Sequence, residues 1–460
     1  MRRLLFVFCC FAELLVAGPR AQETALDEYV YKPDGAYAWR NVRSIPGKGY
    51  TLEVVELTSQ VWAPPEPAKP GTWRHWLLVY RPDEVEQGAG LLFISGGANG
   101  AQPPEKADDG LARIAVNTHS LVAELKMVPN QPLIFENDDF GGRKEDEIIS
   151  YNWHKYLESK NPIWLTRLPM TKAAVKAMDA LGEITDGKVG RFFVMGASKR
   201  GWTTWTTAAV DDRVIGIAPI VIDMLNLVPS FVHHYRVYGF WAPAVKDYFR
   251  EGIMDAFQSP EFVDLLKIVE PYSYRERLTM PKFIVSSAGD QFFLPDSSQF
   301  YFDDLPGEKY LRYVPNSDHS LRDTDALESL ATFYQALIED RPRPRFAWKA
   351  DADGALRVTA ETEPQAVKLW LAHNPEHRDF RLESVGPIWQ AVDLAAGADG
   401  AYVVRVEKPK KGFTAYFVEL TFPSGSKTPF KFTTPVHVTP DEYPFGPPEA
   451  GKTRLGPQKQ

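Results

Sequence analysis

Apolar and polar residues partly alternate over residues 51–62. A second apolar run spans 73–80, and Pro64-Pro-Glu-Pro-Ala-Lys-Pro-Gly71 lies between the two. Two such runs around a proline-rich loop predict an antiparallel hairpin. From residue 90 the period changes. Short continuous apolar runs at 90–95, 131–136, 188–195, 214–221, 281–286 and 309–314 are interleaved with helical spacing at 112–126, 171–181 and 324–340. Runs that do not alternate belong to strands covered on both faces, so this region predicts an α/β fold around a largely parallel sheet. The stretch between 221 and 281 is several times longer than a simple crossover requires. Its helical spacing at 231–249 and 260–269 predicts an inserted cap over about residues 224–279. The cap aromatics, among them Phe231, Trp241 and Tyr248, either line a pocket or pack the cap against the core.

Past Arg341-Pro-Arg-Pro-Arg345, read as a stiff charged linker, the pattern turns all-β. Short runs at 356–361, 366–372, 401–407, 414–422 and 430–438 are separated by Asp-Gly and Ser-Gly turns. They predict a C-terminal Ig-like sandwich over residues 346–440. The remainder, 441–460, is a tail expected to be disordered from Pro447 onward.

With 44% hydrophobic and 24% charged residues in a 460-residue chain, composition excludes a disordered chain, a coiled coil or a multi-span membrane protein. A formal net charge of −8 makes nucleic acid an unsuitable partner. Both cysteines, Cys9 and Cys10, sit in an apolar run that follows Arg2-Arg3. Residues 1–21 therefore predict a secretory signal peptide cleaved after Ala21, and an exported protein, periplasmic or secreted. Arg2, Arg3, Arg20 and Glu13 would leave with it, a net +2, so the remaining chain carries about −10. That chain has no thiol, which removes disulfides, cysteine nucleophiles and thiolate metal sites. No other stretch approaches the ~18 apolar residues of a membrane span.

The sharpest chemical signal is Phe192-Phe-Val-Met-Gly-Ala-Ser-Lys-Arg-Gly-Trp202, a buried strand running into a helix through Gly196-Ala-Ser198. It resembles the nucleophile elbow of α/β hydrolases, except that the second glycine, Gly201, falls three residues after the serine rather than two. In that class the triad runs serine, acid, histidine. Asp290 follows the 281–286 strand and His319 follows the 309–314 strand, 92 and 29 residues further along. A serine hydroxyl needs a base to take its proton, and the base needs a carboxylate to fix its tautomer. Ser198, His319 and Asp290 are the candidates. Asp296 is the runner-up acid, and Asp318 is a poorer one. The oxyanion site is expected from the N–H of Lys199 and from the glycine-rich Ser95-Gly-Gly-Ala-Asn-Gly100 loop, at Gly97 and Ala98. Arg200 either binds an anionic substrate group or makes a structural ion pair, and Glu136 is a positional candidate for facing the site. Adjacent His233-His234 lacks a carboxylate cluster, so no metal is expected. Asp138, Asp139, Glu145, Asp146 and Glu147 read as a solvated surface.

Taken with Ser95-Gly-Gly-Ala-Asn-Gly100, Glu136-Asn-Asp-Asp139 and Asn316-Ser-Asp-His319, the elbow is similar to that of the PhoPQ-activated pathogenicity-related protein family. It also resembles the Gly-Cys-Ser-Arg-x-Gly elbow of glucuronoyl esterases, with Ala197 in place of the cysteine and Lys199 in place of the arginine. That resemblance implies an electrostatic role for the Lys199 side chain. The expectation is an exported serine hydrolase of α/β-hydrolase fold, preferentially a carboxylic ester hydrolase. It would act without metal or organic cofactor on a small-molecule or carbohydrate-linked ester, with the sandwich free to contact a partner. A peptidase, or a secreted binding protein on a hydrolase scaffold, are the alternatives.

Overall fold

The computed structural model describes residues 23–351 and 354–457. The expected signal peptide, with both cysteines, lies outside the described residues. Helix α1 (Ala25–Tyr31) opens with a capping box at Thr24 and buries Leu26 and Val30. Nine strands then build the central sheet: β1 (Ala38–Pro46), β2 (Tyr50–Val61), β3 (Thr72–Pro82), β4 (Ala89–Ile94), β5 (Leu121–Leu125), β6 (Arg191–Ala197), β7 (Val214–Ile220), β8 (Lys282–Ser287) and β9 (Lys309–Val314). Their order across the sheet is β1-β2-β3-β5-β4-β6-β7-β8-β9. β1, β2, β3 and β5 pair antiparallel in turn, and β5, β4, β6, β7, β8 and β9 run parallel. Setting aside the β1 edge, this is the eight-strand α/β-hydrolase arrangement, with its antiparallel second strand and the swap of third and fourth strands. The predicted hairpin is β2–β3.

β5 and β8 are buried at every position, because helices cover both faces. These helices are α2 (Asp109–Thr118), α3 (Asp146–Ser159), α4 (Arg167–Ile184), α5 (Lys199–Val210) and, later in the chain, Ala326–Ile338. Two sequence expectations fail here. The helix expected over 112–126 stops at Thr118, where His119 takes φ 46° and a left-handed conformation, and Leu121–Leu125 becomes a strand between β3 and β4. A short apolar run has no period that separates strand from helix, and pairing on both sides decides it. The strand expected over 131–136 shrinks to Ile134–Phe135, which pairs with Ala68–Lys69 away from the main sheet.

The segment between β7 and β8 is helical, led by α6 (Leu227–Tyr238) and α7 (Pro260–Val269). Its final partner is the C-terminal tail, which was expected to be disordered. Trp241 N–H donates to Arg454 O at 2.8 Å, Gly456 N–H donates to Trp241 O at 2.9 Å, and Gly451 N–H reaches Asp255 Oδ1. Polar composition conceals this docking because its bonds come from the backbone.

Residues beyond 345 form two sheets. One joins Phe346–Ala350, Leu356–Ala360 and Tyr402–Val404; the other is built on Ala366–Asn374, Phe413–Phe422 and Phe430–Thr433. The second sheet continues the central one, since Thr433 pairs with Leu311 of β9. Phe432 stacks on Tyr310 at 4.2 Å, and Phe346 lies 5.6 Å from Phe422 and 6.0 Å from Phe432, so the two regions share a core. The charged connection is clamped: Arg343 pairs with Glu308, and Tyr310 donates to Pro344 O.

Candidate active site

Ser198 stands between β6 and α5 with φ 57° and ψ −123°, a strained conformation for a side chain with a Cβ. Its N–H donates to Ile220 O at 2.8 Å, and its carbonyl accepts from Trp202 N–H at 3.0 Å. The two glycines are explained by close approach. A Cβ on Gly196 would lie 2.6 Å from Arg200 O. A Cβ on Gly201 would lie 2.8 Å from Ile222 Cγ2 and 3.0 Å from Gly196 O. The displaced glycine therefore does the packing that the usual spacing does: it lets the helix settle on the strand end.

Asp290 lies just beyond β8 and is buried. Its Oδ1 accepts from Phe292 N–H at 2.7 Å and Phe293 N–H at 3.3 Å, and its Oδ2 sits 2.7 Å from His319 Nδ1. With Nδ1 carrying the proton toward the carboxylate, Nε2 is the nitrogen left to act as a base. The His319 ring packs against Phe292 at 4.4 Å and Phe293 at 5.9 Å. Both phenylalanines line a pocket of about 40 Å³ that Ser198 also lines. Among the described residues Ser198 Oγ makes no hydrogen bond to His319. The runner-up acid, Asp296, is committed elsewhere, to His233 Nε2 at 2.8 Å and Arg378 Nη2 at 2.7 Å. Asp318 accepts from the backbone and hydroxyl of Ser320 at the surface.

Cap residues Leu227, Phe231, Val245 and Tyr248 roof this pocket. Trp241 is wholly buried against Phe231 and Phe257, so the cap aromatics divide between lining and packing. His233 is held by Asp296 and Tyr443, while His234 Nε2 accepts from Ala242 N–H. Burial, with the charges of Arg381 and His233 adding to it, holds the His234 imidazole down to about 3, so it stays neutral. Glu84, Glu86 and His119 bring possible metal-ligand atoms together, but all three are exposed.

Gly97 has φ 143°, and a Cβ there would meet Met127 Cγ at 3.0 Å. Gly97 and Ala98 follow β4, and among the described residues their N–H groups take no backbone acceptor. Lys199 N–H opens α5 and has no earlier turn to donate to. These are the expected oxyanion donors. Glu136 is exposed and does not line the pocket, because its segment lies off the main sheet.

The acidic stretch is not a uniform solvated surface. Glu145 receives Arg200 Nη1 at 2.8 Å and Nη2 at 2.7 Å. Asp146 Oδ2 receives Lys199 Nζ at 2.9 Å, and its Oδ1 receives the Tyr248 hydroxyl at 3.0 Å. Asp138 pairs with the buried Arg143. Burial pushes the Glu145 carboxyl upward, but the hydrogen bonds and charges of Arg200 and Lys199 outweigh it and hold the group down to about 2. Lys199 and Arg200 are therefore both paired with protein carboxylates.

Arg167 is the pocket residue that sequence reading missed. It begins α4, is 3% exposed, and lines the pocket beside Ser198. Its Nη1 donates to Lys199 O at 2.9 Å, and its guanidinium lies 4.6 Å over the Trp202 ring. The predicted helix began only at 171; an arginine within the largely apolar 162–170 stretch was the available signal.

The family model described as PhoPQ-activated pathogenicity-related protein matches residues 26–381. "Autocrine proliferation repressor protein A" of Dictyostelium discoideum is 37% identical over 457 aligned residues, 92% of each chain. Among solved structures, acetyl xylan esterase 1 from Thermoanaerobacterium sp. is 14% identical, covering 67% of this chain and 92% of that one, with a TM-score of 0.47. A glucuronoyl esterase from Solibacter usitatus is 15% identical, covering 68% and 90%, with a TM-score of 0.44. The fold assignment rests on the strand order above.

Proposed function

We propose that this chain, which belongs to the PhoPQ-activated pathogenicity-related protein family, is an exported serine hydrolase that cleaves carboxylic esters through an acyl-enzyme on Ser198. The observation that carries the reading is the 2.7 Å Asp290–His319 bond, set behind phenylalanines that line the Ser198 pocket. In the first half-reaction Ser198 Oγ attacks the ester carbonyl and its proton passes to His319 Nε2. The tetrahedral oxyanion faces Lys199 N–H and the Gly97-Ala98 loop. Collapse breaks the carbonyl–alkoxide bond, and the alkoxide takes the proton from His319. Water then repeats the sequence, releasing the acid and restoring Ser198. No step calls for a metal or organic cofactor. An ester is favoured over an amide because the small pocket provides no extended subsite for a peptide. Export is supported by the pattern of residues 1–21. Among the described residues no helix is long and apolar enough to cross a membrane.

A fluorophosphonate probe tests the reading. Labelling of the folded protein that disappears in Ser198→Ala and falls about 10⁴-fold in rate in Asp290→Asn fits it. Absence of labelling on intact protein favours the second reading, a binding protein on a hydrolase scaffold. The small pocket and the unjoined Ser198 and His319 side chains are what speak for that second reading.

A further inference from the structure

Three cations and two carboxylates meet around the elbow. Arg200 is matched by Glu145, and Lys199 by Asp146 with Glu145 at 3.3 Å. The third cation, Arg167, has no carboxylate within ion-pair distance among the described residues, and its buried Nε has no hydrogen-bond partner. What it does have is one carbonyl on Nη1, the Trp202 ring beneath it, the Tyr248 hydroxyl as a side-chain partner, and the charge of Asp146 at longer range. Leaving a guanidinium buried and incompletely paired costs stability, and a ring face returns only part of that cost. Burial lowers its pKa to about 10, which still leaves it charged at neutral pH.

Resting on the reading of Ser198 as nucleophile, we infer that Arg167 is a specificity residue that receives a carboxylate carried on the substrate's acyl chain. The substrates would then be half-esters of short dicarboxylic acids. The buried Nε is the nitrogen without a partner, and it belongs to a planar fork that matches a carboxylate in two-point contact. The remaining walls, such as Trp153, Met224 and Phe293, are apolar and suit the methylenes between ester and acid. The pocket of about 40 Å³ limits the chain to roughly three to five heavy atoms beyond the carbonyl. Asp146, the acid facing this space, attracts Arg167 at longer range but is already held by Lys199 and Tyr248 and makes no ion pair with it.

Monoethyl succinate and ethyl succinamate differ only in charge at the far end of the acyl chain. The full-length protein should show at least tenfold higher kcat/KM for the charged ester. That ratio should fall at least tenfold in Arg167→Met and recover substantially in Arg167→Lys. A ratio unchanged in Arg167→Met overturns the inference. Calorimetric titration of Ser198→Ala with succinate tests the subsite without turnover. Binding weakened at least tenfold by adding Arg167→Met supports it, and equal affinity in the two proteins, or no binding to either, overturns it. Failure of the Ser198 reading shows differently: both esters are hydrolysed as fast by Ser198→Ala as by the unaltered protein.

Discussion

Arg200 meets Glu145 edge to edge, its two terminal nitrogens 2.8 Å and 2.7 Å from the two carboxylate oxygens. The pair joins the first turn of the elbow helix to the start of α3, 55 residues earlier. It also packs beneath the glycine loop, where a Cβ on Gly96 would come within 2.7 Å of Arg200 Nη2. Glu145 itself has φ 51° and ψ −122°, nearly the backbone of Ser198. Two strained helix entries are thus tied together by one ion pair.

Glu145→Gln leaves Arg200 largely buried without its charge partner. The expected loss is about 2 kcal/mol, a charge-assisted bond reduced by the partial exposure of Glu145. Chemical denaturation measures it. The double variant Glu145→Gln/Arg200→Met should lose less than the sum of the single variants; strict additivity would show that the pair is not coupled.

Because Ser198 holds a backbone that glycine adopts freely, Ser198→Gly should raise stability by about 1 kcal/mol while abolishing probe labelling. Thermal unfolding reads the first effect and labelling the second. An unchanged or lower melting temperature would argue that the elbow stores no strain.

Adding a methyl at Gly196 drives it into the Arg200 carbonyl, and one at Gly201 into the Ile222 Cγ2 methyl and the Gly196 and Ile220 carbonyls. Either alanine variant should lose about 1–3 kcal/mol and shift α5 off the strand end. Probe labelling should drop more steeply in these than in a surface variant of equal stability, which compares the elbow's geometry with its stability directly.

Asp223, just past β7, is buried with the Tyr301 hydroxyl at 2.6 Å and the Tyr313 hydroxyl at 2.7 Å. Burial dominates over these hydrogen bonds and pushes its carboxyl up to about 7. Between the ordinary carboxylate range and pH 7 the folded chain then holds a proton that the unfolded chain has lost. This group's contribution to stability therefore declines as pH rises through that window and levels off above it. Asp223→Asn should flatten that slope. Melting temperatures of the two proteins from pH 4 to 8 test it; parallel curves would refute the assignment.

The candidate serine, acid and histidine were legible because each follows a run of buried strand, and a buried parallel strand announces itself by continuous apolar residues. The inserted helices and the all-β end were legible for similar reasons: local period and turn residues record them. Leu121–Leu125 was not, since four apolar residues around Glu124 carry no period, and only pairing with Leu77–Tyr80 and Gly90–Ile94 makes them a strand. Glu136 was misplaced by the same error, having been assigned to a strand end that the sheet does not contain.

By itself the sequence determined most of the element order and the strand–turn–helix at Ser198, because both are written in neighbouring residues. Tertiary structure alone decided which charges are spent. Lys199 and Arg200 look like an open cationic site until Asp146 and Glu145, more than 50 residues upstream, are brought against them. Arg167 lies outside every element the sequence predicts, and the fold places it at the start of α4, buried beside Ser198 without a carboxylate in ion-pair distance. Charge balance in a buried site depends on distance through space and on loss of water, and neither is encoded in local spacing.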